Sequence, residues 1–269
     1  MPTRDHKFQI AVDGERIAGT LVTPATMVPG VLFVHGWGGS QKQYLARARE
    51  ISALGCIGLT FDLRGHARDS AQQETVSRED NLSDALAAFD ELVNHPGVDA
   101  SAIAVVGSSY GGYLAAILTT LRPVKWLALR VPALYKDARW GAPKKQLHTD
   151  PDLHAYRRRH VRWQDNRALH ACASFGGDIL IVESENDDTV PHRTIENYVE
   201  AARRAHSLTY RVIAGADHGL SQEAGQRAYT ALLVNWLTEM VFAARQGAPT
   251  AQGSARMGAA PEEAPPQPG

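Results

Sequence analysis

Apolar positions along the chain alternate between two periods. Short aliphatic runs at Val31-Leu32-Phe33-Val34, Cys56-Ile57-Gly58-Leu59-Thr60-Phe61, Ile103-Ala104-Val105-Val106, Trp126-Leu127-Ala128-Leu129-Arg130, Ile179-Leu180-Ile181-Val182 and Leu208-Thr209-Tyr210-Arg211-Val212-Ile213 have the length and branching of buried strands. Between them the spacing lengthens to the helical period. Ser40 with Gln43 forms a capping-box pattern ahead of Tyr44, Ala48, Ile51 and Leu54. Ser77 precedes Leu82, Leu86, Phe89 and Val93, and His95-Pro96-Gly97 ends that helix. Ile195, Tyr198, Val199 and Ala202 mark a helix after Pro191, and Tyr229, Leu232, Leu233, Trp236, Leu237 and Met240 mark the last. At the start, Phe8-Gln9-Ile10-Ala11-Val12 and Ile17-Ala18-Gly19-Thr20-Leu21-Val22 predict two strands turning at Asp13-Gly14. Strands separated by helices predict crossover units, hence an α/β fold with a mostly parallel sheet covered on both faces. Ligands of such sheets bind beyond the carboxyl ends of the strands.

Two segments interrupt the alternation. From Pro132 to Gly176 the chain carries nine Lys and Arg (Lys136, Arg139, Lys144, Lys145, Arg157, Arg158, Arg159, Arg162, Arg167) against Asp137, Asp150, Asp152 and Asp165. Leu153, Tyr156, His160 and Trp163 fall at helical spacing, which predicts one packed stripe with the Arg157-Arg158-Arg159 run mostly facing water. This basic surplus reads first as a solvated face. The sharper alternative is attraction of substrates carrying a carboxylate or phosphate. From residue 246 to 269 glycine, proline and alanine dominate, so a folded domain over 1–245 and a disordered tail are expected.

Composition narrows the class. A length of 269 residues, 44% hydrophobic and 21% charged, suits one globular domain. A net charge of −1 gives no reason to expect nucleic-acid or membrane partners. The first residues lack a secretory apolar region, no run reaches transmembrane length, and two cysteines make no disulfide framework, so a cytoplasmic location is expected. Cys56, opening a strand, reads as a small buried hydrophobe. No H-E-x-x-H, cysteine pair or phosphate-cradling loop occurs, and His148, His154, His160 and His170 are not spaced for one helix face. Neither metal nor other cofactor is expected.

The chemistry concentrates in three loops. Gly107-Ser108-Ser109-Tyr110-Gly111-Gly112 places a G-x-S-x-G pentad between a strand and a helix, a turn sharp enough to expose Ser109 beside a base. Gly107 and Gly111 leave room where a side chain would clash. His218, in a loop after the last strand run, is the candidate base. Asp187, in Asn186-Asp187-Asp188-Thr189-Val190-Pro191, is the candidate carboxylate to fix its tautomer; Asp188 is the alternative, disfavoured by the D-x-x-V-P register.

With Ser, Asp and His in that order, residues 8 to 243 resemble the α/β-hydrolase superfamily. His35-Gly36-Trp37-Gly38-Gly39 looks like its oxyanion-hole turn, and the resemblance implies the backbone N–H groups of Trp37 and Tyr110 as oxyanion donors. The Trp37 ring could wall the acyl pocket, and His35 reads as structural. Asp62-Leu63-Arg64-Gly65-His66 is similar to the D-x-R-G-x-G-x-S segment, with Ala67 in place of a glycine; Ser184 departs likewise in the acid loop. Asp62 and Arg64 are expected to tie down loops, and Asp217 to shape the loop of His218. The resemblance also implies a small lid over the site at about 132–176. It points to a serine esterase acting on small-molecule carboxylic esters, with feruloyl esterases similar around residues 35–39. Ser109-Tyr110-Gly111-Gly112-Tyr113 also resembles the nucleophile segment of prolyl-oligopeptidase-like domains, which makes a small aminopeptidase the second reading. Such domains usually carry a propeller, for which residues 1–30 leave no room. A non-catalytic receptor of the same fold is the third. Aspartate-nucleophile epoxide and haloalkane hydrolases are disfavoured by the serine.

Overall fold

The computed structural model describes residues 3–12, 15–24, 27–66, 72–147 and 149–247, without the side chains of 3–24 and 245–247. The expected turn at Asp13-Gly14, Ala67, His148 and the tail from residue 248 lie outside the described residues. Strands β1 (Thr3–Val12) and β2 (Glu15–Pro24) pair antiparallel in a sheet of their own. The remaining strands, β3 (Val28–Val34), β4 (Ile57–Thr60), β5 (Val98–Ser108), β6 (Trp126–Arg130), β7 (Asp178–Asn186) and β8 (Ser207–Asp217), form one parallel sheet. Its order is β4-β3-β5-β6-β7-β8.

Alternation along the strands sorts the core into two layers. Leu32, Val34, Ile103, Val105, Leu127, Leu129, Ile179 and Ile181 face helices α2 (Arg78–Val93), α3 (Tyr110–Leu118), α5 (Arg167–Ser174) and α6 (His192–Ala201). Their neighbours Val31, Phe33, Ala104, Val106, Trp126, Ala128, Leu180 and Val182 face α1 (Lys42–Ala53) and α7 (Glu223–Gly247). Parallel pairing requires these crossover helices, and burial on both faces explains the continuous apolar runs of β3, β5, β6 and β7. Among the described residues no helix is long and apolar enough to cross a membrane. Cys56 and Cys172 are both buried, and burial pushes the Cys172 thiol up to about 12.

Ser77 caps α2 through a complete box with Asp80, whose carboxylate accepts from the Ser77 backbone N–H at 2.8 Å. The expected box at Ser40 does not form. Helix α1 starts at Lys42, its N-cap Gln41 has helical dihedrals, and no side chain of its own segment caps it. Asp62, twenty-one residues on, takes the Gln41 N–H (2.8 Å) and side-chain amide (2.9 Å) instead, so a long-range carboxylate replaces the local cap.

The single stripe expected over Leu153–Trp163 is also corrected. Helix α4 covers only Leu153–Arg157, and a separate 3₁₀ turn spans Trp163–Asp165. Asn197 of α6 takes over the backbone between them, accepting from Val161 N–H (3.1 Å) and donating to the Arg159 carbonyl (3.1 Å). Arg157 does not face water: it is buried and donates to the carbonyls of Leu134 (3.1 Å) and Thr189 (3.1 Å). His160, Arg158 and Arg159 are exposed.

Candidate active site

The nucleophile turn joins β5 to α3. Ser109 is the N-cap of α3 with φ 51° and ψ −117°, outside the regions that L-residues favour, a conformation that costs on the order of 1–3 kcal/mol and persists only when its surroundings impose it. They do. The Ser109 N–H donates to the Arg130 carbonyl (2.9 Å), and its own carbonyl accepts from Tyr113 (3.0 Å) and Ala133 (3.0 Å). A Cβ on Gly111 would collide with the carbonyl oxygens of Val34 and His35, and one on Gly107 would lie 2.5 Å from the Gly111 carbonyl. Only glycine lets α3 start this close to β3.

The structure brings Ser109, His218 and Asp187 together. Ser109 Oγ lies 3.0 Å from His218 Nε2, and His218 Nδ1 lies 2.7 Å from Asp187 Oδ2. The second Asp187 oxygen accepts from the N–H groups of Thr189 (2.9 Å) and Val190 (2.7 Å), a carboxylate turn that fixes which oxygen meets the ring. Asp187's side chain is 3% exposed, His218's 23%. Asp188 faces outward and, among the described residues, accepts only from its neighbour Thr189 (3.1 Å). Asp217 accepts from the Ser221 N–H (2.8 Å), within its own loop. A carboxylate on Nδ1 favours the tautomer that carries its proton there, which turns Nε2 toward the hydroxyl as an acceptor, the arrangement that a general base requires.

Trp37 occupies the second position of a tight turn closed by Gly39 N–H to the Gly36 carbonyl (3.1 Å). His35, fully buried, holds that turn: its Nε2 accepts from the Leu63 N–H (3.0 Å), which leaves Nδ1 to donate to the Gly36 carbonyl (2.9 Å). Both nitrogens are committed, and burial lowers the pKa of the ring. Tyr110 is the first residue of α3, where backbone N–H groups have no intrahelical acceptor. The Trp37 indole packs edge-on to Tyr110 (5.5 Å) and His66 (5.9 Å). Asp62 and Arg64 tie to different helices, Asp62 to Gln41 and Arg64 to Asp84 of α2 (2.5 Å).

Beneath the Trp37 turn lies an unforeseen group. Lys144 is fully buried; its Nζ lies 2.6 Å from His66 Nδ1 and donates to the Arg64 carbonyl (2.9 Å) and Asn81 Oδ1 (3.2 Å). Tyr110's hydroxyl donates to the same Asn81 oxygen (3.2 Å). Burial brings Lys144 down to about 8, and burial together with the Lys144 charge takes His66 down to about 3. His66 is therefore neutral at pH 7 and accepts from the ammonium. Its folded pKa is depressed, so the unfolded chain binds the extra proton between pH 6.5 and about 3, and stability falls as pH drops through that window. The contribution is at most about 1.4 kcal/mol per pH unit. In urea unfolding at pH 7 and pH 4, His66→Gln is expected to lose less stability than the parent on acidification; parallel losses would show that His66 does not set the acid response.

A cleft of about 730 Å³ reaches Ser109 and His218 and is walled by Trp37 and by residues of α1 and α7. Among the described residues, none from the basic segment 132–176 lines it. Many of that segment's charges are engaged elsewhere: Lys136 with Asp150 (3.1 Å), Lys145 with Glu74, Arg162 with Asp165 (2.8 Å), and Lys144 and Arg157 in the interior. Arg130 and Lys144 stand near the site although no motif marks them. For Arg130 the sequence does hold a signal, a charge ending an otherwise apolar strand; for Lys144 it holds none.

A parallel sheet with helices on both faces and a serine at the strand-to-helix turn defines an α/β-hydrolase fold. The model of the prolyl oligopeptidase family matches residues 46–243, and the chain belongs to that family, serine hydrolases of this fold. That span includes Ser109, Asp187 and His218 but not the Trp37 turn. In sequence the chain is similar to "Uncharacterized protein Rv2307c" of Mycobacterium tuberculosis (strain ATCC 25618 / H37Rv), 28% identical over 235 residues that cover 84% of this chain and 76% of the relative. In structure it is similar to a dienelactone hydrolase from Anabaena variabilis ATCC 29413 (TM-score 0.56, 18% identity, 88% of this chain and 98% of that one). Carboxyl esterase 2 of Tuber melanosporum is similar too (TM-score 0.57, 18% identity, 89% and 87%). So is the acylaminoacyl peptidase of Pyrococcus horikoshii (TM-score 0.58, 15% identity, 87% of this chain and 41% of that one).

Proposed function

We propose that the protein is a carboxylesterase that cleaves small-molecule esters through an acyl-enzyme, with Ser109 as nucleophile, His218 as base and Asp187 as its orienting carboxylate. The observation that carries this reading is the unbroken chain of contacts from Asp187 through His218 to Ser109, 2.7 and 3.0 Å long. His218 Nε2 takes the proton from Ser109 Oγ as that oxygen attacks the ester carbonyl. The resulting oxyanion is met by the backbone N–H groups of Trp37 and Tyr110, donors fixed before the reaction begins. The imidazolium then protonates the departing alkoxide, and the same ring activates the water that releases the acid. Asp187, held by two backbone N–H groups, keeps the ring in one tautomer throughout.

The second reading is a small aminopeptidase, favoured by the family match. Amine leaving groups need protonation before they depart, whereas phenoxides do not, so the two readings separate in one panel. With p-nitrophenyl esters set against aminoacyl p-nitroanilides, the esters are expected to exceed the anilides in kcat/KM by tenfold or more, about 1.4 kcal/mol of barrier. Faster anilide turnover would establish the peptidase. Failure of a fluorophosphonate probe to label Ser109 would favour a receptor instead.

A further inference from the structure

At the carboxyl ends of three adjacent strands, Ser108, Arg130 and Ser184 continue the rows of Val106, Ala128 and Val182, the rows that face α1 and α7. Arg130 is only 7% exposed. Its Nε donates to Ser108 Oγ (2.7 Å) and its Nη1 to the carbonyl of His218 (2.9 Å), with Ser184 Oγ at 3.5 Å. Its Nη2 makes no hydrogen bond among the described residues, and no carboxylate there lies within ion-pair distance. Arg47, from α1, repeats the pattern: Nε goes to Thr230 (3.1 Å), Nη1 to the Gln43 carbonyl (2.9 Å), and Nη2 is unused among the described residues. Both guanidinium carbons lie near the Tyr229 ring, at 4.9 Å for Arg47 and 5.6 Å for Arg130. The Tyr229 hydroxyl is buried with no hydrogen-bond partner among the described residues.

All three side chains line the cleft that holds Ser109 and His218. The cleft's other charges are Arg227, paired with Glu223, and the exposed Glu50. A guanidinium withdrawn from water without a counter-ion is costly, and its planar fork matches a carboxylate better than any other common group.

We infer that this wall of the cleft is a carboxylate subsite: Arg130 Nη2 and Arg47 receive the carboxylate of an ester whose scissile carbonyl rests at Ser109. The inference builds on the esterase reading and names its substrate class. It places the recognising cations on β6 and α1, away from the basic segment 132–176.

Two esters of equal chain length make the test: p-nitrophenyl hemiglutarate, which carries a terminal carboxylate, and p-nitrophenyl valerate, which does not. At low salt the anionic ester is expected to show a kcat/KM about tenfold or more above the neutral one, with the ratio falling as sodium chloride is added. Arg47→Met, which keeps an apolar stem, is expected to lower the anionic-to-neutral ratio at least about threefold, and Arg130→Lys to lower it as well. Reading the ratio cancels any general loss of activity, and Arg47, on an outer helix, covers the case in which Arg130→Lys does not fold. A ratio near one, insensitive to salt and to Arg47→Met, overturns the subsite while leaving the esterase reading intact. If neither ester is cleaved, the esterase reading fails instead, and binding decides the subsite. Calorimetry on Ser109→Ala with the stable anilides of the two acids then supports it if glutaranilic acid binds more tightly than valeranilide and Arg47→Met erases the difference. Equal binding sinks it.

Discussion

Ser109→Ala is expected to lower kcat/KM for p-nitrophenyl esters by at least about 10⁴-fold while leaving the far-ultraviolet circular dichroism unchanged. The size follows from the role proposed for the hydroxyl, since no other oxygen stands at hydrogen-bonding distance from His218 Nε2 among the described residues. The fold should survive because alanine inherits the same backbone, and the dihedrals at position 109 are imposed by the carbonyl of Arg130 and the N–H groups of Tyr113 and Ala133, not by the side chain. His218→Ala, and the double variant, are expected to fall to nearly the same floor as Ser109→Ala, because groups that act as a unit lose their function together. Activity of a purified Ser109→Ala protein equal to the parent's would end the mechanism. Summed losses in the double variant would mean that serine and histidine work independently.

Gly111→Ala is expected to have the largest effect on folding, a loss above about 3 kcal/mol in urea unfolding or no folded protein at all. The added methyl would meet the carbonyl oxygens of Val34 and His35, which belong to the backbone at the end of β3. Flexible side chains can swing aside; these oxygens cannot move without displacing β3 or α3, and both are packed in the core. Gly141→Ala is the control. The nearest atom its methyl would meet is the far end of the Glu79 side chain at 3.8 Å, so a change within about 0.5 kcal/mol is expected. Equal stability of Gly111→Ala and Gly141→Ala would show that the turn has slack that the close approach denies.

Much of the fold and of the candidate site is legible in the amino-acid order. The six apolar runs correspond to the six strands of the parallel sheet. Those of β3, β5, β6 and β7 are apolar because they are buried on both faces. The edge strands β4 and β8 are only partly buried, and β8 carries Thr209 and Arg211 within its run. The turn at Gly107–Gly111 is legible because its constraint is local, two glycines around a serine. Capping and segmentation are not legible where distant groups intervene. Ser40 and Gln43 have the right spacing for a cap, yet Asp62 reaches the helix start first. Leu153 to Trp163 has helical spacing, yet Asn197 claims the backbone hydrogen bonds that would have continued the helix. Lys144 reads as one more surface cation, and only the closure of the chain over His66 buries it.

The amino-acid order alone determined the strands, most of the helices and the identity of Ser109, Asp187 and His218 as candidates, because these depend on period, composition and nearby turn residues. Only the tertiary structure decided that Asp187 rather than Asp188 meets the ring, that the cleft opens between α1 and α7, and that Arg130 stands in it with no carboxylate partner among the described residues. Those facts rest on side chains from different strands meeting in space, at separations such as the 88 residues between Arg130 and His218, over which no local pattern has any hold.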